Sequence, residues 1–424
     1  MKRINKFRIY PPTPRFSNFL PQFLFLSAIV ISTFTTYYAT GHFLDSDASS
    51  ELVLAEHLLE TGQILSRDWF YGSELRVLHM QWVYVPLLIF FNSWQLVRFV
   101  GALLLQAIYI LSFAFLCHEA GISKRNFFLC SSLLLLPVSV TYGRIILYHC
   151  HYIPNISISF LLLGLVLGFP QNTNLLNFKV LFRLVLLTSL SFLGGLSGVR
   201  QLMMTHAPMI LSIFILALTE DSKNSKAEKA AIVSPEFRHY LVLAMLALLS
   251  SFAGLKVNTN ILSKYLTTAL NQNDNSLAFM KGTDIDGVLY GFFHQFGFRA
   301  DVAMLSLSGV LSLGAIFVGV YALITAIKKL QHYKKEHPKN TSIFYSFFLS
   351  YTIIMITTFL VTGGNQKYYF PLYLVFCYPW AVPLLVANLD DIPTNVHFLH
   401  EKKLLAWSSV FLLVISGMVN LVFF

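Results

Sequence analysis

Acidic residues gather in one short stretch of a chain that otherwise carries few charges. Seven of its 20 carboxylates lie between Gly41 and Met80, against only two arginines. They are Asp45, Asp47, Glu51, Glu56, Glu60, Asp68 and Glu74. A partly desolvated carboxylate can remove a proton from a hydroxyl group, and neighbouring carboxylates can hold a divalent cation. This stretch is therefore the first candidate for chemistry.

The segment LDSDASSELVLAEHLLETG predicts an amphipathic helix from about Ala48 to Thr61, ended by Gly62. Its predicted apolar face consists of Leu52, Ala55, Leu58 and Leu59. Asp47 then falls at the N-cap, where a side-chain oxygen satisfies free backbone N–H groups. Capping and catalysis both remain open for Asp47. Asp45 and Asp47 follow the first apolar run closely, where a carboxylate can face a substrate carried by a lipid.

The composition excludes an ordinary soluble protein. Of the 424 residues, 56% are hydrophobic and 12% are charged, whereas soluble domains have roughly 25% charged residues. The net charge of +10 comes mostly from Lys and Arg in short loops, so it indicates topology and no nucleic-acid partner. The four cysteines lack CxxC spacing and indicate neither a zinc site nor a disulfide framework.

The apolar runs predict an all-α polytopic membrane protein with about eleven transmembrane helices, built as one domain over residues 1–424. The basic N-terminus places its own end in the cytoplasm. The predicted spans cover residues 19–38, 97–117, 127–147, 153–169, 180–198, 205–219, 239–255, 302–326, 342–362, 369–388 and 404–424. Two large outer loops result, 41–95 and 256–301.

The apolar segment Val77–Phe91 is interpreted as a helix along the membrane surface rather than as a further span. With this interpretation, twenty of the 30 Lys and Arg residues lie on the cytoplasmic side and ten outside. Counting it as a span would move the first basic loops outward, against the positive-inside rule. The acidic loop is therefore extracytoplasmic.

Together these elements resemble the first outer loop of type C (GT-C) glycosyltransferases, which include the protein O-mannosyltransferases and the aminoarabinose transferase of lipid A. The matching elements are Asp45-Ser46-Asp47, Glu60-Thr61-Gly62, Asp68-Trp69 and Glu74. The late sequence Lys367-Tyr368-Tyr369-Phe370-Pro371 is similar to an R/K-Y-x-x-P element of the same family.

The resemblance implies the GT-C fold and an inverting transfer of a sugar from a polyprenyl phosphate to an unknown acceptor. Asp47 would be the catalytic carboxylate, with Asp45 and Glu74 beside it. A metal ion is not required, because a lipid monophosphate carries less charge than a diphosphate. If a divalent ion is used, Asp45 and Asp47 are its predicted ligands.

Two cations at outward ends of spans, Arg200 and Lys367, are candidates for binding the donor phosphate, together with Tyr368. The alternative is that each cation extends to lipid headgroups. In the family, the outer loop that follows the third span often carries an acidic or polar cluster, whereas this chain has Arg144, His149 and His151 there and no acid. These three are predicted to contact the acceptor or to line the site, and a metal-binding histidine pair is the less favoured alternative.

Two other classes stay open. A transporter or flippase of a lipid-linked substrate would need ionisable groups inside its spans, and these spans are nearly free of acids. A non-catalytic scaffold would be insensitive to loss of Asp47. The expected location is the plasma membrane of a bacterium, with the active site on the extracytoplasmic face.

Overall fold

The computed structural model describes residues 16–71, 75, 77–170, 177–221, 235–266, 285–331, 339–362, 375–389 and 396–421. Most of these residues are helical, and no strand occurs among them. Seven of the helices are long and apolar enough to cross a membrane, and an eighth span is added if one bent pair counts as a single crossing. The expectation of an all-helical polytopic membrane protein is confirmed.

The α-helices are numbered here in chain order. In the first half they are α1 (Phe16–His42), α2 (Ser46–Thr61), α3 (Gln81–Phe90), α4 (Trp94–Glu119), α5 (Lys124–Leu134), α6 (Val140–Tyr142) and α7 (Ile153–Leu167). In the second half they are α8 (Phe178–Leu196), α9 (Ala207–Asp221), α10 (Pro235–Asn260), α11 (Ile285–His294), α12 (Leu307–Gln331), α13 (Lys339–Thr362), α14 (Tyr378–Ala387) and α15 (Val396–Asn420). Two π-helices, Gly143–Tyr148 and Leu202–His206, lead on from α6 and into α9.

Large apolar side chains cover the outside of the long helices. Examples on four of them are Phe34, Leu111, Val242 and Phe411, all more than 60% exposed. A soluble protein rarely shows so continuous an apolar surface, because water would penalise it. Lipid is therefore the natural solvent for these faces.

The predicted span 127–147 is not one continuous helix. α5 ends at Leu134, and helical structure resumes only at Val140. Pro137 lies in the gap, and proline both lacks a backbone N–H donor and disfavours helix in the residue before it. Asn420 of α15 donates hydrogen bonds to the carbonyl oxygens of Pro137 (3.1 Å) and Val138 (2.7 Å), which satisfies backbone groups that the break leaves free.

α3 confirms the predicted helix within Val77–Phe91, and it packs between α2 and α4. The ring of Tyr84 lies directly over Gly101 of α4, where any side chain would collide with it. α2 also has its expected apolar face, except that Leu59 is 37% exposed and Leu54 is buried in its place.

One end of the bundle is tied together by Asn340 at the start of α13. Its side-chain amide donates to the carbonyl oxygens of Glu119 (3.0 Å) and Leu167 (2.9 Å), the last residues of α4 and α7. Arg183 of α8 forms an ion pair with Glu119 at 2.7 Å. The candidate site lies at the other end of α4 and α7, where α1 also ends.

Candidate functional site

Arg98, a buried residue in the second turn of α4, binds the backbone where the chain leaves α1. Its guanidinium donates to the carbonyl oxygens of Thr40 (2.8 Å) and Phe43 (2.6 Å), which have no helical partner at the end of α1. This contact fixes the direction in which the acidic loop begins. Asp45 follows two residues later.

Asp45, not Asp47, is the N-cap of α2. Its backbone is extended, and its Oδ1 accepts a hydrogen bond from the N–H of Ala48 at 2.9 Å. The prediction of a cap at Asp47 was wrong because α2 begins at Ser46, two residues earlier than expected. Gly62 ends the helix as predicted, with φ 65° in the left-handed region that glycine adopts without strain.

Asp47 consequently lies in the first turn of α2 and is exposed. Its carboxylate has no hydrogen-bond or ion-pair partner among the described residues. A negative charge in this position is stabilised by the helix dipole, which is its simplest structural role. Of this pair, Asp47 is the more exposed carboxylate.

Asp45 joins the acidic segment that follows α1 to the segment between α6 and α7. Its Oδ2 accepts a hydrogen bond from Nη2 of Arg144 at 2.6 Å and lies 3.2 Å from Nδ1 of His149. His149 is buried, whereas more than half of the Arg144 side chain is exposed. One nitrogen of the guanidinium therefore holds Asp45, while much of the Arg144 side chain remains accessible.

These contacts set the charges of the site. Burial alone would raise the pKa of Asp45, but the hydrogen bonds from Ala48 and Arg144 and the nearby His149 outweigh it and lower that pKa to about 2. Burial lowers the pKa of His149 to about 4, although Asp45 opposes this effect. At neutral pH Asp45 is thus a carboxylate that already has its partners, and His149 is a neutral imidazole.

The segment that carries His149 has an unusual backbone. It follows a π-helix, bends by 81° between Tyr148 and Ile153, and places Cys150 at φ 56°. A left-handed conformation is uncommon for a residue other than glycine, and such strain concentrates at functional sites. The bend turns His149 and His151 toward one cluster, with their ring centroids 5.7 Å apart.

A second carboxylate–histidine pair lies beside the first. Nδ1 of the buried His79 is 3.1 Å from Oε1 of Glu51, and Nε2 of His79 donates to the backbone carbonyl of His151 at 2.9 Å. The rings of His79 and His151 stack at 6.3 Å. Sequence reasoning missed Glu51 and His79 as site residues, although a histidine within an apolar run was a usable signal.

The acids and histidines form two groups whose ligand atoms could hold a metal ion. One comprises Asp45, His149 and His151, and the other comprises Glu51, His79 and His151. In each group the three atoms lie within 4.8 Å of one another. Of the two predicted metal ligands, Asp45 belongs to the first group and Asp47 belongs to neither.

Arg200 lies next to the same cluster. Its guanidinium carbon is 4.8 Å from the ring centroid of Tyr152, and that ring is 6.4 Å from the ring of His151. A hydrogen bond links the end of the acidic segment to the residues just after α8, because the hydroxyl oxygen of Ser197 accepts from the N–H of Leu78 at 2.9 Å. A cation from the segment after α8 is thus brought to the site formed by the segments that follow α1 and α6.

Three predicted site residues, Glu74, Lys367 and Tyr368, lie outside the described residues. Their roles stay predictions. The residues that do come together are Asp45, Arg144, His149, His151 and Arg200, with Asp47 at the exposed edge. They come from three separate connections and meet at one end of the helices.

No protein-family model matches this chain, and no curated protein matches it. The chemistry of the site is therefore the basis for its function.

Proposed function

We propose that this protein is an integral-membrane glycosyltransferase of the GT-C type, which transfers a sugar from a polyprenyl phosphate to an acceptor of the cell envelope. The observation that carries the proposal is the meeting of Asp45, Arg144 and His149 at one end of the helices, with Arg200 nearby. Carboxylates and phosphate-binding cations at a membrane edge suit a donor whose lipid stays in the bilayer.

The proposed topology has eleven crossings, a cytoplasmic N-terminus and the site on the extracytoplasmic face of a bacterial plasma membrane. Seven long helices account for most of the crossings. The interrupted segment from α5 to the π-helix Gly143–Tyr148, helix α7, and the short helices α9 and α14 would supply the other four. The positive-inside rule supports this orientation.

Arg144 and Arg200 are the proposed ligands of the donor phosphate, with Lys367 and Tyr368 completing the set. Arginine matches phosphate geometry with paired N–H donors. Arg144 is suited to this role because its side chain is more than half exposed while its Nη2 is held in place by Asp45. A fixed cation stabilises the charge that develops on the leaving phosphate.

Asp47 is the proposed general base, and Asp45 is a positioning residue. A carboxylate with a pKa of about 2 and two donors on its oxygens is a weak proton acceptor, so Asp45 fits the task of holding Arg144 and His149. In the reaction the acceptor hydroxyl oxygen attacks the anomeric carbon, and its proton passes to Asp47. The bond from that carbon to the phosphate oxygen breaks, polyprenyl phosphate leaves, and the configuration inverts. Glu74 would orient the acceptor.

The test is transfer by the purified protein with a panel of polyprenyl-phosphate and polyprenyl-diphosphate sugars. Asp47→Asn should abolish transfer while membrane abundance stays near wild type, because the substitution removes only the proton acceptor. Glu60→Gln is the matched control, since Glu60 is an exposed acid at the opposite end of α2. Full activity of Asp47→Asn would show that Asp47 is not the base.

One observation favours a transporter of a lipid-linked substrate as the second candidate. Buried polar side chains lie in and next to the π-helix before α9. Gln201 donates hydrogen bonds to Ser159 (3.1 Å) and Thr205 (2.6 Å), and His206 is fully buried. Polar groups inside a membrane protein are costly and often mark a substrate path. Movement of the lipid-linked donor across liposomes without any transfer would support this candidate against the enzyme.

A further inference from the structure

The second carboxylate–histidine group has features that proton transfer alone does not explain. It consists of Glu51 from α2, His79 from the segment before α3, and His151 from the bend before α7. His79 and His151 are 4% and 7% exposed. The proposed sugar-transfer reaction uses neither Glu51 nor His79, so it gives this group no role.

The tautomer of His79 follows from its contacts. A backbone carbonyl can only accept a hydrogen bond, so Nε2 of His79 must carry the hydrogen that it donates to His151. In a neutral ring, Nδ1 then presents a lone pair toward Oε1 of Glu51 at 3.1 Å. Two lone pairs at this distance repel each other unless a positive species lies between them.

The spacing fits a metal ion as that species. Four ligands around zinc at roughly 2.0–2.1 Å from the ion are about 3.3 Å apart, close to the separation of Nδ1 and Oε1 here. A proton serves only two atoms, whereas Glu51, His79 and His151 each offer a ligand atom and the three atoms lie within 4.8 Å of one another. The hydrogen bond from Nε2 to a carbonyl is also the contact by which metal-binding histidines are usually oriented.

We propose that Glu51, His79 and His151 bind one divalent transition-metal ion of the zinc class. Two imidazoles and one carboxylate form a donor set that suits zinc and leaves a fourth position for water. The ion joins α2, the segment before α3 and the bend before α7. This binding does not depend on the reaction that the protein catalyses.

The neighbouring group with Asp45 is the less suitable one. The guanidinium of Arg144 lies 2.6 Å from Oδ2 of Asp45, where its fixed positive charge repels a metal ion and occupies the oxygen. The two groups share His151, so substitution of their carboxylates separates them. Glu51→Gln should abolish binding, whereas Asp45→Asn should retain it.

The experiment measures metal content by mass spectrometry in protein purified with a tag that lacks histidine, loaded with Zn²⁺ and desalted. We expect one equivalent in the wild type and a visible Co²⁺ spectrum typical of four-coordinate N and O ligands. In Glu51→Gln and His79→Gln the affinity should fall by more than the roughly 10- to 100-fold that follows loss of an outer partner. The matched control is His57→Gln, because His57 is a half-buried histidine of α2 that pairs with Ser66 outside the cluster.

Three results would overturn the proposal. One is a wild-type protein that retains no Zn²⁺ and gives no Co²⁺ spectrum, which requires no variant to fold. Another is retention of metal by Glu51→Gln together with its loss from Asp45→Asn. The last is equal metal content in His79→Gln and His57→Gln. Because metal content is read without any sugar substrate, failure of the glycosyltransferase proposal would leave these results unaffected.

Discussion

Gly195 of α8 lies directly against the backbone of Ser251 in α10. A Cβ atom at position 195 would overlap the carbonyl oxygen of Ser251 and lie 2.6 Å from its carbonyl carbon. Carbon atoms in favourable contact are roughly 3.5–4.0 Å apart, so Gly195→Ala would force the two helices about 1 Å further apart. Overpacking costs about 1–3 kcal/mol when side chains can adjust, and backbone cannot rotate away.

We therefore expect Gly195→Ala to lower stability by about 3 kcal/mol or more and Tm by about 5 °C or more. The effect should reach the candidate site, because Asn258 of α10 donates to the carbonyl oxygens of Leu196 (2.6 Å) and Leu75 (3.1 Å). Separation of α8 and α10 would break this link to the acidic loop. The proposed sugar transfer should fall along with Tm.

The measurement is thermal unfolding in detergent, followed by intrinsic fluorescence. Gly314→Ala in α12 is the matched control, because a Cβ there would meet only the end of the Leu412 side chain at 3.0 Å, which can rotate. Its Tm should stay within about 2 °C of wild type, helped by the better helix propensity of alanine. Equal Tm values for the two variants would refute the close contact of α8 and α10.

Two further predictions concern polar contacts. Asp45→Asn keeps a side-chain oxygen that can cap α2 but loses the negative charge that faces Arg144 and His149. Asp45→Ala loses the cap as well as the charge. Asp45→Ala should therefore be less stable than Asp45→Asn by about 1 kcal/mol. Equal Tm values for these variants would contradict the capping role. Burial lowers the pKa of His294 below its ordinary 6.5 in the folded protein. As the pH drops through 6.5, the unfolded chain therefore binds more protons at this residue than the folded protein does, and the free energy of unfolding decreases. His294→Gln should reduce the loss of Tm between pH 7.5 and 5.5, and an unchanged loss would exclude His294 as its source.

The long helices could be predicted because hydropathy is a property of short windows of sequence. The predicted span 97–117 corresponds to Trp94–Glu119, and 180–198 corresponds to Phe178–Leu196. Burial in lipid requires a continuous apolar helix, and no distant residue is needed to recognise one. The break at Pro137 was missed because average hydropathy ignores the missing N–H donor.

Much of the candidate site was also visible in the sequence. Asp45, Arg144, His149, His151 and Arg200 each lie at the end of an apolar run, where a polar side chain is noticeable. Their partners were not predictable, because Asp45 and Arg144 are 99 positions apart and meet only after several helices have packed. The cap of α2 was misplaced by two residues, since both Asp45 and Asp47 are suitable caps and local spacing does not choose between them.

The residue types of this chain establish that it is a helical membrane protein and that its acids concentrate near the end of the first helix. Both conclusions come from composition along the chain, since lipid excludes unpaired charge and unsatisfied backbone. Tertiary structure alone decides that Asp45 is paired while Asp47 is open, and that Glu51 and His79 face His151. Those relations depend on the distances between side chains of different loops, which the packing of α2, α3, α4 and α7 determines.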